Sequence, residues 1–276
     1  MDLQVDHVTI AGRDLDRLAD AYTEAGFEVD YGGRHSNEIT HMSLIGFEDG
    51  SYIELVSTIE PEMDSPWWDA PIHGDGGPCA WAIAVDDIDA ATATLRSRGV
   101  PTDGPSAYQR VRGDGVVVEW DLTFLGKGDP GSSLPFLISD RTPRERRVQP
   151  TGDPTPSSVA GVDTVVLGVP DLEEAVQRFI TAFELPEPTR EQLTELNAEV
   201  AVFSDQPVAL ARPRGRGWFA DRLDEFGPLP VAYLLGREDD TDSRFDDLTA
   251  DSLGDRKIEW LPVTEPVGYR YLGLVE

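Results

Sequence analysis

The chain has 276 residues, 39% of them hydrophobic, so it is long enough to form two ordinary domains with buried cores. Its 52 acidic residues outnumber 23 basic ones and give a formal net charge of −29, which repels nucleic acid and anionic membranes. No apolar run of about 18 residues is present to span a membrane. The single cysteine, Cys79, excludes an internal disulfide and a cysteine-based zinc site.

The acidic residues are spread over the sequence rather than gathered in one tail. Molar salt would screen their mutual repulsion, because it shortens the Debye length to about 3 Å. In this bias the chain resembles proteins of halophilic archaea, and an acidic surface for a basic partner is the alternative. Residues 1–6 carry no basic region and no apolar signal core. We therefore expect a cytoplasmic protein with no nucleic-acid or membrane partner.

The start of the chain predicts a unit of one strand, one helix and three further strands. Residues 5–11 alternate as a strand, and residues 14–26 show helical spacing of apolar side chains behind an aspartate at the N-cap position. Three more strands are predicted over residues 27–31, 41–47 and 51–57, with a Glu-Asp-Gly turn before the last of them. The order of this unit is therefore β-α-β-β-β.

The opening of this unit recurs along the chain. The strand at residues 162–167 leads to an aspartate-capped helix with the spacing seen in the first unit, and a weaker copy begins with a strand at 79–85. A fourth, degenerate unit is predicted from residue 230, with a weakly patterned helix near 245–253. Later strands of the last two units are predicted at residues 198–204, 208–212, 256–260 and 269–275. A repeat of this length implies a fold that stacks one small unit.

The units group into two predicted domains. The first covers residues 1–142, the second covers residues 159–276, and a proline-containing stretch of low apolar content, 143–158, is the predicted linker. Inside the first domain, a loop rich in proline and glycine joins the two units and carries Trp67 and Trp68. These two indoles are expected either to cover a cleft or to pack between the domains.

Short motifs in the first three units carry a resemblance to a known family. They are Asp6-His7, Gly32-Gly33-Arg34-His35, Thr40-His41, Tyr52-Ile53-Glu54, Glu119-Trp120, Ala160-Gly161-Val162 and Val169-Pro170-Asp171-Leu172. On these motifs the chain resembles the glyoxalase-like domain family of the vicinal oxygen chelate superfamily. The resemblance implies an α+β fold of tandem βαβββ modules, like those of glyoxalase, bleomycin-resistance protein and dihydroxybiphenyl dioxygenase, paired in two domains.

In this superfamily two units curl around a cleft, and metal ligands commonly come from the first and last strands of a unit. Side-chain alternation predicts which residues face that cleft. If Val8 packs on the helix, His7 faces the cleft, and the same parity on the fourth strand places Tyr52 and Glu54 there. Glu54 stands in an apolar strand, where a carboxylate is costly unless it is paired or coordinated.

The same alternation is applied to the third strand. With Met42 and Leu44 assigned to the helix side, His41 faces the cleft beside His7 and Glu54. Two imidazoles and one carboxylate form a common ligand set for iron, manganese, zinc, nickel or cobalt. The second unit offers no histidine or carboxylate at the matching positions, so a complete metal site would depend on His41.

Four further residues are predicted to bind substrate. Arg34 could clamp a carboxylate or phosphate with its planar fork, or pair with surface carboxylates, or pair with Glu54. Tyr52, Trp81 and Trp120 are expected to line the cleft. His35 is assigned to the turn that shapes the mouth of the cleft.

Two functions remain open from the sequence. The first is a metal-dependent lyase, isomerase or dioxygenase acting on a small oxygenated molecule, with the metal as Lewis acid and His7 or Glu54 as general base. The second is a small-molecule binding protein without catalysis, as in bleomycin resistance. Either function implies a small-molecule ligand, and a homodimer is left open. The second domain carries Thr164 in place of the histidine and is expected to be structural.

Overall fold

The computed structural model describes residues 3–148, 159–237 and 249–276. In the first half, the strands are β1 Val5–Ala11, β2 Asp30–Arg34, β3 Thr40–Gly46, β4 Tyr52–Thr58, β5 Gly77–Ala84, β6 Thr102–Val111, β7 Val117–Leu125 and β8 Phe136–Asp140. The helices of this half are α1 Leu15–Glu24, α2 Asp69–His73, α3 Ile88–Ser97 and α4 Glu145–Val148. All eight strands form one sheet, in the order β2-β3-β4-β1-β5-β8-β7-β6.

The second half repeats this plan. Its strands are β9 Val159–Gly168, β10 Thr189–Leu193, β11 Ala198–Val202, β12 Val208–Pro213, β13 Leu229–Arg237, β14 Thr249–Leu253, β15 Arg256–Trp260 and β16 Leu272–Val275, and its helices are α5 Leu172–Phe183 and α6 Trp218–Phe226. The sheet order is β10-β11-β12-β9-β13-β16-β15-β14. In both sheets the opening strands of two units pair antiparallel at the centre. The predicted α+β fold of paired βαβββ units is confirmed.

Three helices begin in the same way. The carboxylates of Asp14, Asp87 and Asp171 each accept a hydrogen bond from the backbone N–H three residues later, at 3.1, 2.9 and 3.0 Å. An aspartate in this position satisfies an N–H that the helix itself leaves without a partner. The repeat seen in the sequence is therefore a repeated N-cap. Within the described part of the chain, none of the helices has both the length and the apolar content needed to span a membrane.

Two local predictions differ from the structure. Residues 249–253, expected in a helix, form β14 and pair antiparallel with β15, while residues 245–248 lie outside the described residues. Alternation of exposed and part-buried side chains suits an edge strand there better than a helix. Residues 143–148, expected as the start of a linker, instead include α4 and lie against the first sheet, where the buried Arg147 reaches Asp6.

One apolar core continues from the first sheet into the second. Trp81 on β5 is fully buried, and its ring is stacked on Phe179 of α5 with 6.4 Å between centroids. The hydroxyl of Tyr233 on β13 lies 2.9 Å from the Thr9 carbonyl and 2.8 Å from the Ala80 carbonyl, so its hydrogen is satisfied across the junction. The two halves therefore fold against each other through both apolar and polar contacts.

Candidate functional site

The first sheet curls around a cavity of about 250 Å³. Side chains from β1, β3, β4, β6, β7 and β8 all line it, together with the loop that precedes α2 and with α4. Its walls are mainly aromatic, and they are supplied by Tyr52, Trp67, Trp68, Tyr108, Trp120 and Phe136. A few polar groups converge among them, namely His7, His35, Glu54, Arg110 and Arg147.

A larger groove of about 830 Å³ lies where the two halves meet. It is lined by the Gly126–Asp129 loop and by parts of α5, and no histidine lines it. We place the candidate site in the smaller cavity, because imidazole, carboxylate and guanidinium groups meet there within apolar walls.

The pairing of β1 with β4 brings the key side chains to one face. In this parallel pair His7 is opposite Tyr52 and Thr9 is opposite Glu54, so all four side chains lie on one face of the sheet, and His7, Tyr52 and Glu54 line the cavity. The His7 ring is stacked on Tyr52 with 4.6 Å between centroids and meets Phe136 edge-on at 5.3 Å. The sequence-based parity for these two strands agrees with this register.

Behind His7, a fully buried carboxylate fixes the imidazole. Asp6 Oδ1 lies 2.6 Å from His7 Nδ1. Arg147 holds both oxygens of Asp6, with Nη1 2.9 Å from Oδ1 and Nη2 2.8 Å from Oδ2, and Arg144 adds a further bond to Oδ2. Burial alone would raise the pKa of Asp6, but the charge of Arg147 and the hydrogen bonds from His7 and Arg147 hold that pKa well below its usual range.

The ionised state of Asp6 determines the form of His7. A carboxylate can only accept, so the hydrogen in this contact belongs to His7 Nδ1. In neutral His7 the other nitrogen, Nε2, is then an acceptor with a free lone pair. Nε2 has no hydrogen-bond partner among residues 3–148, 159–237 and 249–276. The cavity wall thus carries a basic nitrogen, and the contact with Asp6 fixes the tautomer and the orientation of its imidazole ring.

Glu54 is also paired within the protein. His35 Nε2 lies 3.1 Å from Oε1, and the Thr9 hydroxyl donates to Oε2 at 3.2 Å. His35 Nδ1 contacts Thr40 Oγ1 at 2.8 Å, which fixes the His35 ring. Burial acts to raise the pKa of Glu54, but the hydrogen bond and charge of His35, together with His7 and Thr9, outweigh it and lower that pKa to about 2. The expected general base with a burial-raised pKa is therefore wrong for Glu54, because these partners stabilise its charged form.

His41 lies outside the cavity. In the antiparallel pairing of β3 with β4, Leu44 is opposite Glu54, so Met42 and Leu44 face the cavity and His41 faces away from it. The His41 ring instead lies near Tyr31, at 6.1 Å. The parity assigned to this strand was reversed because both of its faces carry apolar side chains, so alternation did not identify the inner face.

The four predicted substrate-binding residues divide evenly. Tyr52 and Trp120 line the cavity. Arg34 is 58% exposed beside Glu38, away from the cavity, and Glu54 is paired with His35 instead. Trp81 is opposite Val8 in the β1–β5 pairing and points with it into the core between the halves. The prediction that Arg34 and Trp81 line the cleft is therefore wrong.

The superfamily implies a divalent metal, and a protein-bound metal of this kind needs about three donors that converge. Within the described ranges, no set of three donor atoms that includes His7 or Glu54 lies within 4.8 Å of one another. The one described cluster that meets this distance is Asp64, Asp69 and His73, in the loop around α2. The residues present in the cavity do not fit the implied three-donor centre, so no chemical step is assigned to a metal.

The second sheet carries a reduced version of the same arrangement. Asp163 is paired with Arg256 through two hydrogen bonds of 2.8 and 2.7 Å, much as Asp6 is paired with Arg147. The neighbouring residue is Thr164, whose hydroxyl donates to Asp163 Oδ1 at 2.5 Å. The carboxylate–arginine pair therefore occurs in both halves, whereas the imidazole occurs only in the first.

Several solved structures are similar to this chain in fold. One is a hypothetical protein from Staphylococcus aureus, with a TM-score of 0.67 and 14% identity over 99% of this chain and 98% of that chain. Another is a mutant 4-hydroxymandelate synthase from Streptomyces coelicolor, with a TM-score of 0.63 and 12% identity over 99% and 92%. At such low identities the likeness establishes the fold alone.

A third structure, a xylose isomerase-like TIM barrel/4-hydroxyphenylpyruvate dioxygenase fusion protein, has a TM-score of 0.58 and 13% identity. It covers all of this chain, which matches 48% of the fusion protein. Comparison with curated proteins finds no significant match. A family model described as "Glyoxalase-like domain" matches residues 5–185, which include every residue that lines the cavity. The chain belongs to the glyoxalase-like domain family.

Proposed function

We propose that this protein is a small-molecule enzyme that uses His7 Nε2 as a general base in a lyase or isomerase reaction on a small oxygenated molecule. The observation that carries the proposal is the Asp6–His7 pair, which presents to an aromatic cavity an Nε2 that has no hydrogen-bond partner among the described residues. A base held at fixed orientation in a cleft is what proton abstraction requires.

In this reaction His7 Nε2 takes a proton from a carbon or hydroxyl of the bound molecule and becomes an imidazolium. Asp6 stays ionised and stabilises that cation through the 2.6 Å contact with Nδ1. The electron pair left on the substrate moves toward its neighbouring oxygen or leaving group. His7 returns the proton at a second position in an isomerase, or to the departing group in a lyase.

Dioxygenase chemistry is suggested by the name of the fusion protein among the structural relatives. Such chemistry needs a redox-active centre, which the superfamily supplies through iron. Among the described residues, no three metal-donor atoms that include His7 or Glu54 lie close enough together to hold such a centre, so the proposal favours proton transfer over oxygenation.

Binding without catalysis is the second candidate. It is favoured by the engagement of Glu54, whose two oxygens are both occupied by His35 and Thr9. The aromatic walls alone would hold an apolar molecule. In that case His7 would serve only as a polar contact for the ligand.

Hydrogen–deuterium exchange at carbon separates the two candidates. The protein is incubated in D2O with α-hydroxy ketones, α-keto acids and β-diketones, and deuterium entering each compound is followed by NMR. We expect enzyme-dependent exchange in at least one compound class, and we expect His7→Gln to slow it by about 100-fold or more, since a general base contributes this much.

His41→Gln is the matched control, because it removes an imidazole of the same sheet outside the cavity. This control should exchange at the wild-type rate. Exchange that persists in His7→Gln would contradict the proposed base. Compounds that bind the wild-type protein without any exchange would establish the binding candidate instead.

A further inference from the structure

Two arginines line the cavity, and their hydrogen bonds differ. Arg147 uses all five of its donors on protein acceptors: Nε and Nη2 bond Asp140, Nη1 and Nη2 bond Asp6, and Nη1 also bonds Tyr52. It therefore has nothing left for a ligand. Its role is to position Asp6 and α4.

Arg110 is satisfied only in part. Its Nη1 donates to the Gly32 carbonyl and its Nη2 to the Arg147 carbonyl, the latter at 2.7 Å. Two of its five N–H groups are thus used, and Nε has no partner in the described part of the chain. Arg110 is 3% exposed and lines the cavity, so the unused donors do not face bulk solvent.

No carboxylate among the described residues forms an ion pair with Arg110. This is unexpected in a chain with 52 acidic and 23 basic residues. Glu54 lines the same cavity and its charge acts on Arg110, but both Glu54 oxygens are bonded elsewhere. A buried guanidinium without a contacting anion carries a desolvation cost, and burial lowers the pKa of Arg110 accordingly.

Arg110 stands beside apolar walls on the same face of the sheet. Tyr108 precedes it by two residues on β6, and in the pairing with β7 Tyr108 is opposite Trp120. Trp67 contacts Tyr108, with ring centroids 5.8 Å apart, so the aromatic surface continues over the loop before α2. The cavity thus offers one charged donor group next to a surface suited to a flat apolar body.

We propose that the cleft binds a small organic carboxylate, with Arg110 holding the carboxylate and the aromatic walls holding an apolar or aromatic body. The inference rests on the proposed use of this cleft as a ligand site, and it names the substrate class. A monoanion suits the cavity better than a phosphate dianion, because the ionised Glu54 lines the same space.

Two probes that differ only in charge test this assignment. Phenylacetate and phenylacetamide are titrated into the protein, and binding is followed by calorimetry and by tryptophan fluorescence. We expect the wild-type protein to bind phenylacetate at least about tenfold more tightly, because hydrogen bonds to a charged group are worth this much. Arg110→Gln should abolish the preference by weakening phenylacetate binding about tenfold while phenylacetamide affinity is maintained.

Arg34→Gln is the matched control, since Arg34 is exposed and outside the cavity. It should retain the wild-type preference. Arg110→Lys keeps the positive charge without the planar fork and should restore part of the preference, which guards against a loss of folding in Arg110→Gln.

The outcomes separate this inference from the proposed function. Equal affinities for the two probes in the wild-type protein would overturn carboxylate recognition and leave the ligand cleft in place. An equal loss of both probes in Arg110→Gln and in Arg110→Lys would assign Arg110 a purely structural role between β2 and α4. Failure of both probes to bind the wild-type protein would overturn both the carboxylate class and the use of this cavity for aromatic ligands.

Discussion

Replacement of Arg147 with Met is expected to lower the free energy of unfolding by about 3–5 kcal/mol, the usual cost of removing one partner of a buried ion pair. Arg147 is almost fully buried and makes two bonds to the fully buried Asp6. Without it, Asp6 retains His7 and Arg144 but loses its two-point partner. The remaining buried charge, rather than the lost packing, accounts for most of the expected effect.

Arg146→Met is the matched control, because Arg146 precedes Arg147 on the same short helix α4 but has an exposed side chain. That variant should unfold within about 0.5 kcal/mol of the wild-type protein, as surface substitutions do. Denaturant unfolding of the three proteins measures both differences. A loss in Arg147→Met as small as that of the control would mean that α4 does not hold Asp6 in solution.

Two tryptophans should respond in opposite ways to truncation. Trp81→Ala is expected to lower the free energy of unfolding by about 3–5 kcal/mol, because it empties a fully buried site between the two sheets. It should leave ligand affinity unchanged, since Trp81 does not reach the cavity. Trp120→Ala removes part of the cavity wall and should weaken binding of an aromatic ligand about tenfold with a smaller loss of stability.

Denaturant unfolding and phenylacetate titration of both variants check this pair. The pair is its own control, because each variant removes an indole from the first half of the chain. If Trp81→Ala weakened binding as much as Trp120→Ala at unchanged stability, Trp81 would belong to the ligand site as the sequence first suggested. Its register opposite Val8 would then be incorrect.

The sequence was sufficient to predict the architecture, because each unit opens with the same local signal. A strand, a short turn and an aspartate N-cap are set by residues adjacent in sequence, as Asp14 and Asp171 illustrate. The predicted helix near residues 245–253 lacked this signal. Where the structure describes these residues, they form a strand.

Side-chain alternation predicted two of the five polar groups in the cavity, His7 and Glu54. On β1 and β4 the parity was inferred from the sequence, and His7, Tyr52 and Glu54 do share a face. On β3 each face carries at least one apolar side chain, so the choice between His41 and Leu44 depended on the register with β4, which the sequence does not specify locally.

The partners of the polar groups could not be predicted. Arg147 reaches Asp6 across 141 residues of chain, from a segment whose composition indicated a linker. Arg110 belongs to no recognised sequence motif, and its proposed role depends on the residues that surround it in the folded protein. His35 was placed in a turn, and only the folded chain brings it to Glu54.

The central claim is that His7 presents a proton-accepting Nε2 to a ligand in the cavity. Nitrogen-15 NMR of protein labelled in its 4 histidines tests this most directly, with assignments from single His→Gln variants. At mildly alkaline pH we predict a proton on His7 Nδ1, none on Nε2, and a shift of the Nε2 resonance when phenylacetate binds, with His41 unmoved. A proton on His7 Nε2, or a bound probe that moves other histidines and leaves His7 unchanged, would contradict the account.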